Sequence, residues 1–325
     1  MPRLLFLLCS LLLAACSQQA DLHETRFMMG TLVRFTIADS DHAQAEAAVK
    51  AAADEMQRID DLFTIYGHHP NPVKAFNALP PGHGMLLPDE IVQVLKLSLR
   101  VQQQSGGAFN PFLGGINQLW GFSDDHAPST PPAAAAIAAA LPPAHCIHRQ
   151  GKQWFRDDAR CLLDFGAIAK GYAVDRGIAL LQQHGIRHAL IDAGGDIRII
   201  GSHHGKPWRI GIRHPRHKGE VLQALNLSGD VSIVTSGDYE RFFVTNGVRY
   251  HHIIDPKNGW PARGVQSVSI IAPSTMLADA WSTALFVIGA QGIDHYPQWR
   301  HRLLLVDQQG IRHGDITPAA GSKQL

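Results

Sequence analysis

Residues 161–177, CLLDFGAIAKGYAVDRG, leave the chain few ways to fold. Cys161, Leu162 and Leu163 predict a short buried strand ending at Asp164. Gly166 then turns the chain into a helix expected from about Ile168 to Leu181. A strand that passes through glycine into a helix leaves N–H groups and the positive end of the helix dipole pointing outward, which suits a phosphate. Lys170 adds a positive charge in the first turn, and Ala167, Ala169 and Gly171 are small enough for a ligand to approach the backbone. The same small residues would equally serve close packing of a strand–turn–helix unit with no ligand. The motif is not a P-loop, because Lys170 precedes the second glycine instead of following it. No G-x-G-x-x-G lies nearby, which argues against the usual dinucleotide-binding fold.

With 325 residues and 45% hydrophobic content, the chain can bury a large core in one large or two modest domains. A net charge of +1, with no Lys/Arg run and no aromatic–basic stripe, sets nucleic acid aside as a partner. The 19 histidines are scattered. The pairs His68–His69, His203–His204 and His251–His252 lack the i, i+4 spacing and glutamate of a zinc helix, so most read as solvated loop residues. Arg3, the apolar run from Leu4 to Leu13 and the ending Leu13-Ala14-Ala15-Cys16 read as a cleaved signal too short to span a bilayer. That ending resembles the bacterial lipoprotein box. It implies a signal peptide over 1–15, a lipid on the Cys16 sulfur and a polar tether over 16–24, with an ordinary secretory signal as the alternative. The body is then expected to face the periplasm, anchored to the membrane, with the inner membrane favoured. Cys146 and Cys161 would be the remaining cysteines, around short strands joined by turns at Gly151 and Asp157–Asp158. They could pair in an oxidising compartment or stay as small buried hydrophobes.

FMMGTLVRFTIA (27–38) alternates like a strand. A helix is expected from about His42 to Leu62, with Ala47, Ala51, Met56, Ile59 and Leu62 facing inward. Residues 63–84 are broken by four prolines and read as loop. Pro88-Asp89-Glu90 opens a second helix running to about Gln104. The glycine-rich, aromatic 105–122 reads as irregular and pocket-lining, and 127–144 as an Ala/Pro-rich surface insertion around a short alanine helix. From Ala189 short strands predominate: ALIDAGGDIRIIG, PWRIGIRHP, VSIVTSG, RFFVTNG, HHIIDP, SVSIIAP and LLLVDQQG, with one helix near Leu277–Val287. Without long βα alternation, the fold class is α+β with largely antiparallel sheets and packed helices.

Acidic residues recur at strand ends beside glycine (Asp164, Asp192, Asp196, Asp238, Asp255), and each alone fits a turn or cap. In ADAWSTALFVIG, Asp279 and Thr283 are spaced i, i+4 and share one helix face. A carboxylate and a hydroxyl near a phosphate seat suit a hard cation such as Mg²⁺. The competing reading is an N-terminal cap followed by a solvent-facing threonine. Ser236, in TSGDY, has no G-x-S-x-G around it, against a serine hydrolase.

Met28-Met29-Gly30-Thr31, SGGAFNP, DFGAIAKGYAVD, AGGD, TSGDY, HIIDP with a following Gly-x-Pro, and DAWSTALFVIG occur in this order. Together they resemble the FAD:protein FMN transferase family, the ApbE-type flavin transferases. The likeness runs from about residue 25 to beyond 300 and implies one transferase domain over 25–325 with a T-fold-like architecture. It implies Mg²⁺-dependent transfer of FMN from FAD onto a Thr or Ser hydroxyl of a target flavoprotein, through a phosphoester bond, with AMP leaving. By motif position, Met29, Tyr66, Ala108, Phe109, Asn110, Asp164, Lys170 and Ile254 would line the FAD site. The carbonyl of Ala167, the carboxylate of Asp279 and the hydroxyl of Thr283 would hold the metal. His252 is the candidate for proton transfer, and Lys170 for neutralising phosphate charge. Expected acceptors are periplasm-exposed flavoprotein domains such as redox-pump subunits. Three positions depart from the family pattern: Asn110 and Ser282 where acidic residues are usual, and Asp192-Ala193 before the Gly-Gly-Asp. The same site would also serve an FAD pyrophosphatase, and a non-catalytic FAD-binding lipoprotein is the alternative outside enzymes.

Overall fold

A computed structural model describes residues 20–38, 40–122 and 129–317. The expected signal peptide, Cys16 and the start of the tether lie outside the described residues. The folded body begins with β1 (Leu22–Met28), so residues 22–24 are strand and not tether. β2 (Thr31–Ile37) pairs with it as a hairpin, so the single strand expected over 27–38 is split. The turn is made by Met29 and Gly30, with φ of 53° and 69°; glycine adopts this left-handed region freely.

α1 (His42–Phe63) is capped by Asp41, whose side chain accepts from the Gln44 N–H. Its inward face is Ala45, Ala48, Val49, Ala52, Met56, Ile59 and Phe63, whereas Ala47 is exposed and Ala51 and Leu62 are half-buried. The row of Val49, Ala52, Met56 and Ile59, set at i, i+3, i+7 and i+10, fixes the helix phase and turns Ala47 outward. Inside the stretch expected as loop lie α2 (Pro72–Asn77), with Asn71 as cap and proline in the first turn, and β3 (His83–Met85). α3 (Asp89–Gln104) follows. α4 (Gly114–Trp120) sits within the segment expected to be irregular, and α5 (Ala134–Ala140) is the expected alanine helix. Ile137 of α5 is buried beside Ile116 and Trp120, so this segment carries a packing role.

β4 (Ile147–Gln150) and β5 (Gln153–Arg156) join β3 in a three-stranded antiparallel sheet, closed by a Cys146–Cys161 disulfide. Residues 161–163 are a connector with one isolated parallel bridge, Leu162 to Leu113, and not the expected strand. The Leu163 N–H and carbonyl pair with the Asn77 side-chain amide at 2.7 and 2.8 Å, which takes the place of a neighbouring strand.

After α6 (Ala169–Gln183) come β6 (Ala189–Ala193), β7 (Asp196–Ile200), β8 (Trp208–Arg213), β9 (Val221–Leu227) and β10 (Val231–Gly237). β11 (Phe242–Thr245), β12 (Val248–His251), β13 (Val265–Ala272), α7 (Thr275–Ile288), β14 (Leu303–Asp307) and β15 (Arg312–His313) complete the chain. Of HHIIDP only His251 is in a strand; Ile254 forms a single bridge with Pro261.

The main sheet has eight strands among the described residues, in the order β1-β2-β6-β7-β10-β13-β14-β15, every pair antiparallel. Strand alternation divides its side chains between two faces. Val33, Phe35, Ile191 and Val234 face α1, α6 and α7, whereas Ile199 and Ile233 face the β8–β9 hairpin with Trp208, Ile210 and Leu225. The α+β class with antiparallel sheets stands. One end of the sheet gathers the Met29–Gly30 turn, the Gly194–Gly195 turn between β6 and β7, and the end of β10. The register Val33↔Ala193↔Asp196↔Val234 sets them side by side.

Candidate active site

The site begins with the docking of α7 on α6. Ser274 caps α7, accepting from the Leu277 N–H at 3.2 Å. Asp175 of α6 accepts from the Ser274 hydroxyl (2.8 Å), the Thr275 N–H (2.8 Å) and the Met276 N–H (3.0 Å), and pairs with Arg198. A carboxylate at a helix N-terminus answers both the open N–H groups and the dipole. One turn earlier on α6 the helices touch: a Cβ on Gly171 would lie 2.4 Å from the Thr275 carbonyl oxygen. The Gly171 N–H donates to Asp279 Oδ2 at 3.0 Å. It does so in place of the Ala167 carbonyl, the acceptor a regular helix would give it.

Asp279 is therefore a buried member of the second turn of α7, with Ser274 as the cap. Thr283, one turn on, is half-buried, its hydroxyl 3.4 Å from Ser236 Oγ at the end of β10. Ser236 also lies 2.7 Å from the Ser282 hydroxyl, which donates to the Asp279 carbonyl. Ser282 thus fills its position as an uncharged hydrogen-bonding group between α7 and the end of β10.

Lys170 Nζ meets Asp196, the first residue of β7, which is 1% exposed. Burial pushes the Asp196 carboxyl up, and the nearby Asp279 adds to it, beyond what Lys170 recovers, to about 8. Burial likewise raises Asp279. For Lys170, burial pulls downward, but Asp196 and Asp279 outweigh it and hold the ammonium above its usual range. Two buried carboxyls facing one ammonium favour a second positive charge. Asp196 Oδ2 lies buried against Lys170 without a well-directed hydrogen bond. The residues expected to hold a cation offer only oxygens: the Ala167 carbonyl ahead of α6, the Asp279 carboxylate and the Thr283 hydroxyl one turn on along α7. That chemistry fits Mg²⁺.

The residues expected to line the flavin come from several elements. Asp164 Oδ1 accepts from the Gly166 N–H (2.8 Å), Oδ2 accepts from Asn117 of α4 (2.6 Å), and its own N–H donates to the Pro111 carbonyl. Ala108 and Phe109 precede that proline with buried side chains, and Asn110 accepts from the Phe112 N–H at 2.9 Å. The Met29 N–H donates to Asp60 of α1 at 3.0 Å, and Tyr66 follows the end of α1 with its carbonyl held by Lys74. Phe63, between those two points, packs edge-on to Phe165 at 5.3 Å. Thr31 touches Gly194, so the Met29 turn lies against the turn that presents Asp196. Ile254 lies further off along this wall, packed with Leu113, Ile116 and Trp120.

His252 follows β12, its N–H donating to the Arg241 carbonyl at 3.1 Å. Burial drives its imidazole well below the usual range, reinforced by Arg241, His251 and Lys170. A neutral histidine can accept a proton. Asp196, Ser236 and Arg241 belong to this constellation although sequence reading gave them no role there. For Asp196 the signal was its place directly after two glycines in AGGD, a turn that aims the residue inward.

The sequence model of the ApbE family matches residues 29–303. A protein of Klebsiella pneumoniae (strain 342) named FAD:protein FMN transferase is 33% identical over 271 residues, covering 81% of this chain and 77% of its own. The Treponema pallidum (strain Nichols) protein of the same name is 33% identical over 316 residues, covering 88% and 84%. Among solved structures, the ApbE protein of Thermotoga maritima superposes with a TM-score of 0.83 at 33% identity, over 91% of this chain and 97% of that one. The flavin transferase ApbE of Vibrio cholerae gives 0.77 at 26% identity, over 91% and 97%.

Proposed function

This chain belongs to the ApbE family of FAD:protein FMN transferases, and we propose that it moves FMN from FAD onto a Thr or Ser hydroxyl of an acceptor flavoprotein, with Mg²⁺ bound. The bond between Gly171 N–H and Asp279 carries this reading, because it sets a carboxylate at the phosphate-attracting start of α6 and frees the Ala167 carbonyl beside it. Ala167, Asp279 and Thr283 would hold the cation, which supplies charge neutralisation for a pyrophosphate.

The residues of this chain do the rest. The positive end of the α6 dipole and the Lys170 ammonium attract phosphate oxygens. Met29, Tyr66, Ala108, Phe109 and Ile254 shape an apolar bed for the flat rings, and Asn110 and Asp164 offer polar atoms to the hydroxyls of the nucleotide. His252 accepts the proton of the acceptor hydroxyl. That oxygen forms a bond to the FMN phosphorus as the bond from phosphorus to the bridging oxygen breaks, and AMP departs with the electron pair. The lipobox supports a Cys16 lipid anchor with the body on the periplasmic side of the inner membrane, where acceptor domains of redox pumps would meet it.

The test is to incubate the full chain with FAD, MgCl₂ and a Thr-containing acceptor domain, and to follow covalent flavin on the acceptor by fluorescence and mass. Covalent FMN together with AMP supports transfer. Free FMN with AMP would make the enzyme a pyrophosphatase, and unchanged bound FAD would make it a storage protein.

A further inference from the structure

Asp21, just ahead of β1, meets His203 and His204, on the loop between β7 and β8, across sequence separations of 182 and 183 residues. Each carboxylate oxygen faces one imidazole: Oδ2 lies 2.8 Å from His203 Nε2, and Oδ1 lies 2.7 Å from His204 Nε2. A third imidazole, His23, has its Nε2 3.7 Å from the same Oδ2. The ligand atoms of Asp21, His203 and His204 all fall within 4.8 Å of one another. The rings are held in place from behind. His203 stacks on Trp208 at 4.8 Å and 23°, and its main chain closes a tight turn with Lys206 at 2.7 and 3.0 Å. His204 adopts a left-handed φ of 50°, which aims its ring back at Asp21.

We propose that Asp21, His203 and His204 form a second metal site, for a borderline divalent ion of the Zn²⁺ class, independent of the flavin reaction. Two imidazole nitrogens and one carboxylate are the donor set such ions favour, whereas Mg²⁺ prefers oxygen alone. Zn–N and Zn–O bonds of about 2.0–2.1 Å in a tetrahedral arrangement set neighbouring ligands about 3.3 Å apart. The 2.7 and 2.8 Å separations, each to a different carboxylate oxygen, would open by about half an ångström, and the wider separations, all within 4.8 Å, would close toward the same spacing as the ion enters. His23 or a water would supply the fourth ligand. In the metal-free chain the two Nε2–H groups bond to the carboxylate. With metal bound, each ring would give Nε2 to the ion and carry its proton on Nδ1. The bound ion would clasp the start of β1 to the β7–β8 loop.

The experiment uses the full chain without an affinity tag, stripped with EDTA and supplied with excess Mg²⁺. Zn²⁺ is titrated in competition with a chromogenic chelator. One equivalent of Zn²⁺ should bind in the presence of Mg²⁺. His203→Gln, His204→Gln and Asp21→Asn should each weaken it by ~10- to 100-fold or more, while His217→Gln leaves it unchanged. As a measurement that needs no variant, Co²⁺ bound to the unaltered chain should give paramagnetically shifted N–H resonances from at least two imidazoles. Absence of stoichiometric uptake, uptake equal in all variants, displacement by Mg²⁺, or a Co²⁺ spectrum without imidazole resonances would each overturn the site and leave a hydrogen-bonded clasp.

Discussion

The Gly171 N–H donates to Asp279 Oδ2 at 3.0 Å, joining the first turn of α6 to the second turn of α7. The carboxylate thereby sits at the positive end of the α6 dipole. Asp279→Asn keeps an acceptor for Gly171 and removes only the charge. That variant should fold with a Tm close to that of the unaltered chain and lose ~100-fold or more in transfer rate. Asp279→Ala also strands a buried N–H, so it should lose stability by about 1–3 kcal/mol in addition. Thermal melts and acceptor flavinylation rates separate the two effects, and a fast Asp279→Asn enzyme would remove this carboxylate from the chemistry.

Gly171 itself is required by contact. An added Cβ would lie 2.4 Å from the Thr275 carbonyl oxygen and 2.8 Å from Asp279 Cβ. Backbone cannot turn aside as a side chain can, so the helices would have to separate. Gly171→Ala should cost roughly 1–3 kcal/mol, and transfer should fall even at temperatures where the variant is fully folded. Gly166→Ala meets only the Asp164 carboxylate oxygen, at 3.1 Å on an exposed turn, and should unfold nearly as the unaltered chain does. Urea unfolding curves measured beside flavinylation rates test the pair.

His252 is held by the Arg241 carbonyl and kept neutral by burial and by neighbouring cations. His252→Ala should slow transfer by ~100- to 10,000-fold while FAD affinity, read from quenching of flavin fluorescence, stays nearly constant. In the unaltered enzyme, any acid limb of kcat/KM belonging to this group should fall below pH 6.5. A variant that binds FAD poorly but transfers normally at saturation would make His252 a ligand contact.

The helices with long periodic faces, α1, α3, α6 and α7, were legible because their burial follows the 3.6-residue repeat. So was the antiparallel character of the second half, where short alternating runs follow one another without helices between them. The Met29–Gly30 turn was hidden because apolar residues continue on both sides of it. α2 announced itself only through Asn71 followed by Pro72, a start signal that the surrounding prolines obscured. The 161–163 run looked like a strand because a buried connector needs the same apolar residues; its partner, Asn77, lies 86 positions away from Leu163. The i, i+4 pair Asp279 and Thr283 could be read as a face, but that Asp196 lies against Lys170 is a tertiary fact. His203 and His204 read as solvated for the same reason, since Asp21 comes from the other end of the chain.

The Cys146–Cys161 bridge closes a loop of sequence separation 15 around the β4–β5 hairpin. In the chain-entropy account a loop of that size is worth about 3 kcal/mol. The paired substitution Cys146→Ser with Cys161→Ser should lower stability by up to that amount. Because Asn77 still holds Leu163 through two hydrogen bonds, the 164–167 turn should remain in place and transfer should persist below the new Tm. Melting curves with and without reductant, compared with those of the double variant, give the check.

His251 sets a stability dependence on pH that can be isolated. Its Nε2–H donates to the Ala262 carbonyl at 2.8 Å, its Nδ1 accepts from the Ile253 N–H at 3.3 Å, and the ring packs edge-on to Phe286 at 5.4 Å. A protonated ring would turn that acceptor nitrogen into a donor facing another donor. Burial accordingly lowers its pKa from 6.5 to about 4. Between those values the unfolded chain binds a proton that the folded chain refuses, so stability is lost as pH falls from 6.5 towards 4, by at most about 3 kcal/mol. Asp196 works the other way. Its folded pKa is raised from 3.8 to about 8, so the folded chain binds the extra proton and stability is lost as pH rises through that window. The two slopes overlap, and the total curve alone cannot assign either. His251→Gln keeps a donor for Ala262 and an acceptor for Ile253 but does not titrate. The difference between the two chains therefore cancels Asp196 and leaves the His251 contribution together with the effect of its charge on the neighbouring His252. Urea unfolding of the metal-free proteins from pH 4 to 7 should show the unaltered chain losing stability relative to His251→Gln as pH falls below 6.5. Parallel curves across that range would mean that His251 is protonated in the fold.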